Sequence, residues 1–462
     1  MKRKYLSLII LATALSLTAR QPAADVPEAD DEETVEATDS IDSVVDDDTD
    51  LRTGYVEIPG EATDIDIPVP GFIHQNSNRI ILNGADWSGL RKAFRESAQA
   101  PVSIVHIGDS HIQGGYSTAT TRELLQYDFG NAGRGLIMPL KLSGTNQPVD
   151  YVFQSRNPWI ANKLMSPTWR QTVGFTGTSI RPSSPTSEVT VGTSETDDYN
   201  PFSSLTLFHS GKLTVNNVTD ASGHQLAYRA IPSKDYTQLL LPSPQTRVTV
   251  SFSSAGDLTL FGASLSGDRP GVYYHEIGNN GASYEVYNRI GSVGLGLAPL
   301  KPDLVIISMG TNEACGRLNT AAFTRSVDRL VRNIRSSNPE ALILLTTPME
   351  FHRSVTSTKK VRVKGKRRRG RKARYRTVNR TSRSYAVNRN VAPLRQAILD
   401  YGKQNGVAVY DWYEVSGGAG ASNSWIDHGL FARDRVHHSR AGYTLEGRLL
   451  YDALMDALRT SD

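Results

Sequence analysis

A single cysteine, Cys315, stands in a chain of 462 residues. That excludes an internal disulfide and any cysteine metal cluster, so stability has to come from a packed core, for which the length is ample. No His/Asp/Glu spacing suggests a metal site either. Charge of one sign is missing from two long stretches. Residues 25–50 (DVPEADDEETVEATDSIDSVVDDDTD) contain no base, and residues 359–383 (KKVRVKGKRRRGRKARYRTVNRTSR) contain no acid. They roughly cancel in the net charge of +4, which therefore describes neither. The N-terminal apolar run, Tyr5 to Leu17, is too short to span a bilayer comfortably.

Following Met1-Lys2-Arg3-Lys4, that run reads as a secretory signal peptide over residues 1–20. Arg20 and Gln21 stand where a bacterial lipoprotein would carry its cysteine, so the expectation is export without lipidation, to the periplasm or cell envelope. An uncleaved N-terminal anchor is the other reading. Residues 21–70, acidic and poor in aromatics, read as a disordered linker.

Order is expected from about Gly71. "DWSGLRKAF" spaces Trp87, Leu90 and Phe94 as a helix would, and "VSIVHI" (Val102 to Ile107) reads as a strand buried on both faces. Between about 141 and 265 the texture changes to short β-rich runs broken by Gly, Ser, Asn and Pro, which predicts a β-sandwich, jelly-roll-like. Strands and helices alternate afterwards: Asp303 to Ser308, a helix marked by Phe323, Val327, Leu330, Val331 and Ile334, then Ala341 to Thr347. A helix over Val391 to Leu399, a strand from Val407 to Trp412 and a final helix carrying Leu445 to Leu458 complete the series. The fold class is therefore α/β, a parallel sheet flanked by helices with an inserted β domain. The division is 71–140 and 266–462 for the α/β domain, 141–265 for the insert, and a basic loop at 357–385.

Functional groups in such sheets gather beyond the carboxyl ends of the strands. "SIVHIGDSHIQGG" ends a strand at Gly108-Asp109-Ser110-His111, and "MGTNEA" places Asn312 just past another. "DRVHHS" offers Asp434 and His437 immediately before the last helix. A serine becomes a nucleophile when a base takes its proton and an acceptor holds that base in one tautomer. Asp434-x-x-His437 supplies both within one turn. Donors for a developing oxyanion are available in the Ser110 N–H, the glycine-containing loop Ile277 to Ser283, and the Asn312 amide.

Together and in this order these blocks resemble the SGNH (GDSL-like) hydrolase family. Gly108-Asp109-Ser110 is similar to its first block, Gly281 to its second, Gly310-x-Asn312 to its third and Asp434-x-x-His437 to its last. The resemblance implies a three-layer SGNH-hydrolase-like fold, Ser110 as nucleophile, His437 as base and Asp434 as its orienter. Ser110, Gly281 and Asn312 would form the oxyanion hole, with no cofactor and no metal. Gly281, not the nearby Gly278, is selected by the resemblance alone. His111 replaces the family's leucine, and Glu313 replaces the usual aspartate. Both departures resemble the subgroup of bacterial peptidoglycan O-acetylesterases, which carries a carbohydrate-binding-module-like sandwich inserted between the first two blocks.

The expected function is a secreted serine esterase removing O-acetyl groups from a polysaccharide, with peptidoglycan favoured by resemblance only. An O-acetyltransferase using the same triad and a non-catalytic glycan-binding envelope protein are the alternatives. For Ser110 the plainer reading is a turn residue, for Asn312 a helix cap, for His437 a surface histidine, and for His106 and His111 packing. The basic run reads first as a solvated loop. An anionic envelope polymer is its candidate partner, with membrane phosphates and the protein's own acidic stretch 25–50 as alternatives; nucleic acid is not expected, because aromatics are hardly interleaved beyond Tyr375.

Overall fold

The computed structural model describes residues 68–193, 200–254, 256–364 and 375–459. The expected signal peptide, and the acidic linker as far as residue 67, lie outside them.

Six strands form the central sheet: β1 (Ile80–Ile81), β2 (Val102–Gly108), β3 (Val272–Gly278), β4 (Leu304–Ser308), β5 (Leu342–Thr346) and β6 (Ala408–Tyr410), in the spatial order β1-β6-β5-β4-β2-β3. All neighbours are parallel except β1, which pairs antiparallel with β6 at the edge. Every residue of β2 is buried, as expected of a parallel strand covered on both faces. Helices complete a three-layer arrangement. Tyr116–Phe129 packs on Arg440–Arg459, and Thr320–Ser337 packs on Val391–Asn405. The Thr320–Ser337 helix buries Phe323, Val327, Leu330, Val331 and Ile334, the face its sequence spacing marks.

Two antiparallel sheets separate β2 from β3 along the chain. One is seven-stranded and includes Phe202–Ser210, Tyr236–Gln245 and Thr259–Ser266; the other is four-stranded, Tyr151–Gln154, Thr186–Thr193, Arg247–Ser254 and Leu213–Asp220. Arg247–Ser254 alternates buried and half-buried positions, and its Val248, Val250 and Phe252 meet Leu205, Leu207 and Leu265 of the other sheet in a separate core. The inserted block, expected over 141–265, also recruits Gly135–Ile137, which pairs with Thr259–Ser266.

A buried ionic cluster ties the insert's entry to the α/β body. Arg134 Nε lies 2.5 Å from Asp150 Oδ2 and Arg134 Nη2 lies 2.9 Å from Glu276 Oε1 of β3. Arg122 Nη2, from the helix Tyr116–Phe129, reaches Asp150 Oδ2 at 2.8 Å. Burial alone would raise the Asp150 carboxyl, but Arg134 and Arg122 hold it below its ordinary range.

One expectation is corrected. Of the basic segment 357–385, expected to be a loop, residues 357–364 and 375–385 are strand: His352–Lys364 pairs antiparallel with Tyr375–Val387 in a two-stranded ribbon, and residues 365–374 lie outside the described residues. The register explains why. Val355, Val361, Val363 and Val378 share one face, whereas Thr356, Thr358, Thr377 and Thr381 share the other. β-branched residues suit a strand on either face.

Candidate active site

Strand β2 runs straight into the helix Ser110–Gln113, and the close approach at Gly108 permits it. A Cβ at Gly108 would lie 2.2 Å from Ile112 Cγ1 and 2.8 Å from the Ser308 carbonyl. Asp109 caps the helix, its Oδ1 accepting the His111 N–H at 3.0 Å. Ser110 is thereby held at the first helical position, where its backbone N–H belongs to the turn that has no acceptor within the helix.

From 327 residues away His437 meets it. Its Nε2 lies 2.7 Å from Ser110 Oγ, and its Nδ1 lies 2.5 Å from Asp434 Oδ2. The other Asp434 oxygen accepts the backbone N–H groups of Val436 and His437, at 2.9 and 3.0 Å. The carboxylate is thus fixed by the turn it orients. Burial pushes the Asp434 carboxyl up, yet the His437 hydrogen bond, the His437 charge and the two backbone donors outweigh it and hold the carboxyl below its usual value. His438 faces inward instead: it is 1% exposed, its Nε2 lies 2.9 Å from Met349 Sδ, and its ring packs on Trp425 at 4.8 Å.

The expected oxyanion elements are stitched together by side chains. Asn312 Nδ2 donates to Ala282 O at 2.9 Å and to Asp109 Oδ2 at 3.2 Å. Gln113 Oε1, on the Ser110 helix, accepts the Asn280 N–H at 2.7 Å. Gly281, between those two anchored residues, has φ +76°, a left-handed conformation that favours glycine. Ser110, Gly281 and Asn312 therefore belong to one connected set of loops at the ends of β2, β3 and β4.

Two carboxyls near the set are raised by burial, Asp109 and Glu313, each to about 7. Glu313 Oε1 accepts the Tyr284 N–H at 2.8 Å, while its Oε2 is buried without a hydrogen-bond partner. His111 packs its ring 5.0 Å from that of His437 and lies 3.3 Å from the Tyr443 hydroxyl. Burial, with the charges of His437 and His438, pushes its pKa well down, so a neutral ring lies against the His437 imidazole. His106 has a packing role: Tyr274 and Ser308 hydroxyls bond its two nitrogens at 2.8 and 2.6 Å, and burial lowers its pKa to about 3. Gln113 and the Tyr443 contact carry no sequence signal of their own, because their partners lie far along the chain. Among the described residues no group of three or more His, Cys, Asp or Glu side chains is arranged to hold a metal ion.

Beside Asn312 and Glu313 opens a cleft of about 510 Å³, lined by Ser283, Glu285 and the guanidinium-bearing Arg317, Arg325 and Arg329.

Comparisons with known proteins bear on the family and the fold. The GDSL-like Lipase/Acylhydrolase family matches residues 248–445, a span that holds Gly281, Asn312, Asp434 and His437 and begins after Ser110 and most of the insert. A solved structure described as a peptidoglycan O-acetylesterase in action is similar at TM-score 0.64 and 21% identity, over 83% of this chain and 99% of that one. A lipase/acylhydrolase from Enterococcus faecalis (TM-score 0.27, 18% identity, 42% of this chain and 80% of that) and a family two carbohydrate esterase from Cellvibrio japonicus (0.26, 12%, 67% and 97%) score too low to bear on the fold. No curated protein matches. Residues 248–445 match that acylhydrolase family and the fold is SGNH-like, so the chain is a carboxylic ester hydrolase.

Proposed function

We propose that this hydrolase is a serine esterase removing O-acetyl groups from a polysaccharide, peptidoglycan before others, through Ser110, His437 and Asp434. The observation that carries it is the unbroken line Asp434 Oδ2, His437, Ser110 Oγ, at 2.5 and 2.7 Å. Peptidoglycan is favoured because the similar structure that spans most of the chain is of an enzyme named for that substrate.

Ser110 Oγ attacks the acetyl carbonyl carbon while its proton passes to His437 Nε2, and Asp434 steadies the resulting imidazolium. The oxygen that gains charge takes hydrogen bonds from the Ser110 and Gly281 N–H groups and from the Asn312 amide. Asn312 exchanges its bond to Asp109 for this one. The intermediate collapses as His437 protonates the departing sugar oxygen, leaving acetyl-Ser110. His437 then takes a proton from water, the hydroxyl adds to the acetyl carbon, and acetate leaves as the serine regains its hydrogen. The β insert helps hold the glycan. The charged start and apolar run at residues 1–20 support a place of action in the periplasm or envelope.

The test is acetate release from O-acetylated peptidoglycan and from a small acetyl ester, with Ser110→Ala in parallel. Loss of both activities in the variant supports the reading. Ser110-dependent cleavage of the small ester alone retains the mechanism and rejects the substrate. Activity surviving the substitution overturns the triad.

A further inference from the structure

We propose that the basic ribbon His352–Lys364/Tyr375–Val387 is a capture arm that binds the carboxylate-bearing polymer whose acetyl esters the site cleaves. The identity of the polymer rests on the function proposed above; the ribbon's affinity for polyanion does not.

Each strand has 13 residues, which at about 3.3 Å per residue reaches roughly 40 Å. Lys359 and Arg380 stand directly opposite each other, and Lys360 and Arg383 lie on the other face. All four are exposed, and among the described residues none forms an ion pair. Like charges directly opposite destabilise a strand pair, and a two-stranded ribbon has little stability to spare. The ribbon's own energetics therefore disfavour this arrangement, whereas an external row of anions relieves it.

Where the ribbon is rooted says which anions. At one foot, the His352 N–H donates to the Arg435 carbonyl at 3.0 Å, and the Arg435 guanidinium lies 4.5 Å over the Tyr385 ring. Arg435 is the residue between Asp434 and Val436 in the turn that carries His437. At the other foot, Asn388 Nδ2 and Asn390 Nδ2 both donate to the Ala314 carbonyl, at 3.0 and 2.8 Å, on the helix that carries Asn312. Asn390 also bonds the Gly316 carbonyl at 3.0 Å, at the rim of the cleft lined by Arg317, Arg325 and Arg329. Cationic side chains thus stand on the arm, in the turn that carries His437 and in the cleft beside Asn312. The acetyl ester is neutral, so these cations have nothing to recognise in the reacting group. They match charges spaced along the polymer that presents it.

Other polyanions fit less well. The Arg435 guanidinium occupies a face of the Tyr385 ring, and the ribbon strands contain no Trp, Phe or Leu to stack on a base or enter a bilayer.

The test uses the full chain with Lys359, Lys360, Arg380 and Arg383 all changed to Gln. On O-acetylated peptidoglycan, KM is expected to rise about tenfold with kcat unchanged, while kcat/KM for a small acetyl ester stays within about twofold. In an inactive Ser110→Ala background, cosedimentation with insoluble peptidoglycan is expected to weaken steeply between 50 and 200 mM salt. The fourfold change should reduce it about tenfold at low salt and flatten that dependence. Unchanged KM and unchanged sedimentation overturn the proposal. Tighter salt-sensitive binding to phosphatidylglycerol vesicles or to duplex DNA than to peptidoglycan overturns the choice of partner. If neither ester is cleaved, the proposed function fails, but sedimentation still decides whether the arm binds.

Discussion

Arg122 and Arg134 lie inside the α/β body with Asp150 and Glu276 against them; Lys359 and Arg380 face each other across the ribbon with no carboxylate between them. Both regions concentrate positive charge, but among the described residues only the first is paired with carboxylates. A buried guanidinium needs a partner in the native state, because leaving water costs several kcal/mol per ion, on the order of the whole stability of a domain. An exposed one keeps its hydration and can wait for a partner from outside. The contrast separates charges that hold the protein together from charges free to serve an encounter.

Breaking the internal pairings should have large effects. Asp434→Asn keeps the shape of the turn but removes the acceptor that fixes the His437 tautomer, so kcat should fall about 10⁴-fold, read as acetate release with the fold unchanged by circular dichroism. Asp150→Ala leaves two buried guanidiniums without their shared carboxylate, and denaturant unfolding should show a loss of about 3–5 kcal/mol. Glu313 sharpens the comparison, being a buried carboxyl that forms no ion pair among the described residues. Its native pKa of about 7 lies above the ordinary 4.5, so the folded chain keeps a proton that the unfolded chain releases. Stability should therefore fall as pH rises from 4.5 to 7. Glu313→Gln should flatten that fall, as a smaller shift in melting temperature across the same window. The smallest effect belongs to the ribbon: Lys359→Ser with Arg380→Ser should leave stability unchanged or raise it by a few tenths of a kcal/mol, by relieving a like-charge pair.

The sequence was most legible where the physics is local. The Asp434 to His437 spacing is a single turn, the apolar strands of the sheet are continuous runs, and the alternating insert reads as paired strands. The ribbon was misread because it buries neither face. No hydrophobic alternation rises above its lysines and arginines, so its period of two is visible only once Val361 is seen opposite Val378. Residues that join distant loops were silent for another reason. Gln113 gains meaning from Asn280, and Asn388 from Ala314, and no pattern in either neighbourhood announces the other. Asn312 was legible as a candidate oxyanion donor, but its bond to Asp109, 203 residues away, was not. That bond joins the amide to a carboxyl that burial raises to about 7.

The span of 327 residues between Ser110 and His437 has a consequence for the order of events at the ribosome. The proposed nucleophile emerges early, yet the strands flanking β2 on either side are made only after the whole β insert, and the proposed base comes later still. Contacts this distant are slow to form and cannot be sampled by a partial chain. A nascent or prematurely released polypeptide ending before His437 therefore carries a serine with nothing to activate it. Synthesis itself keeps the esterase silent until nearly the last helix is in place.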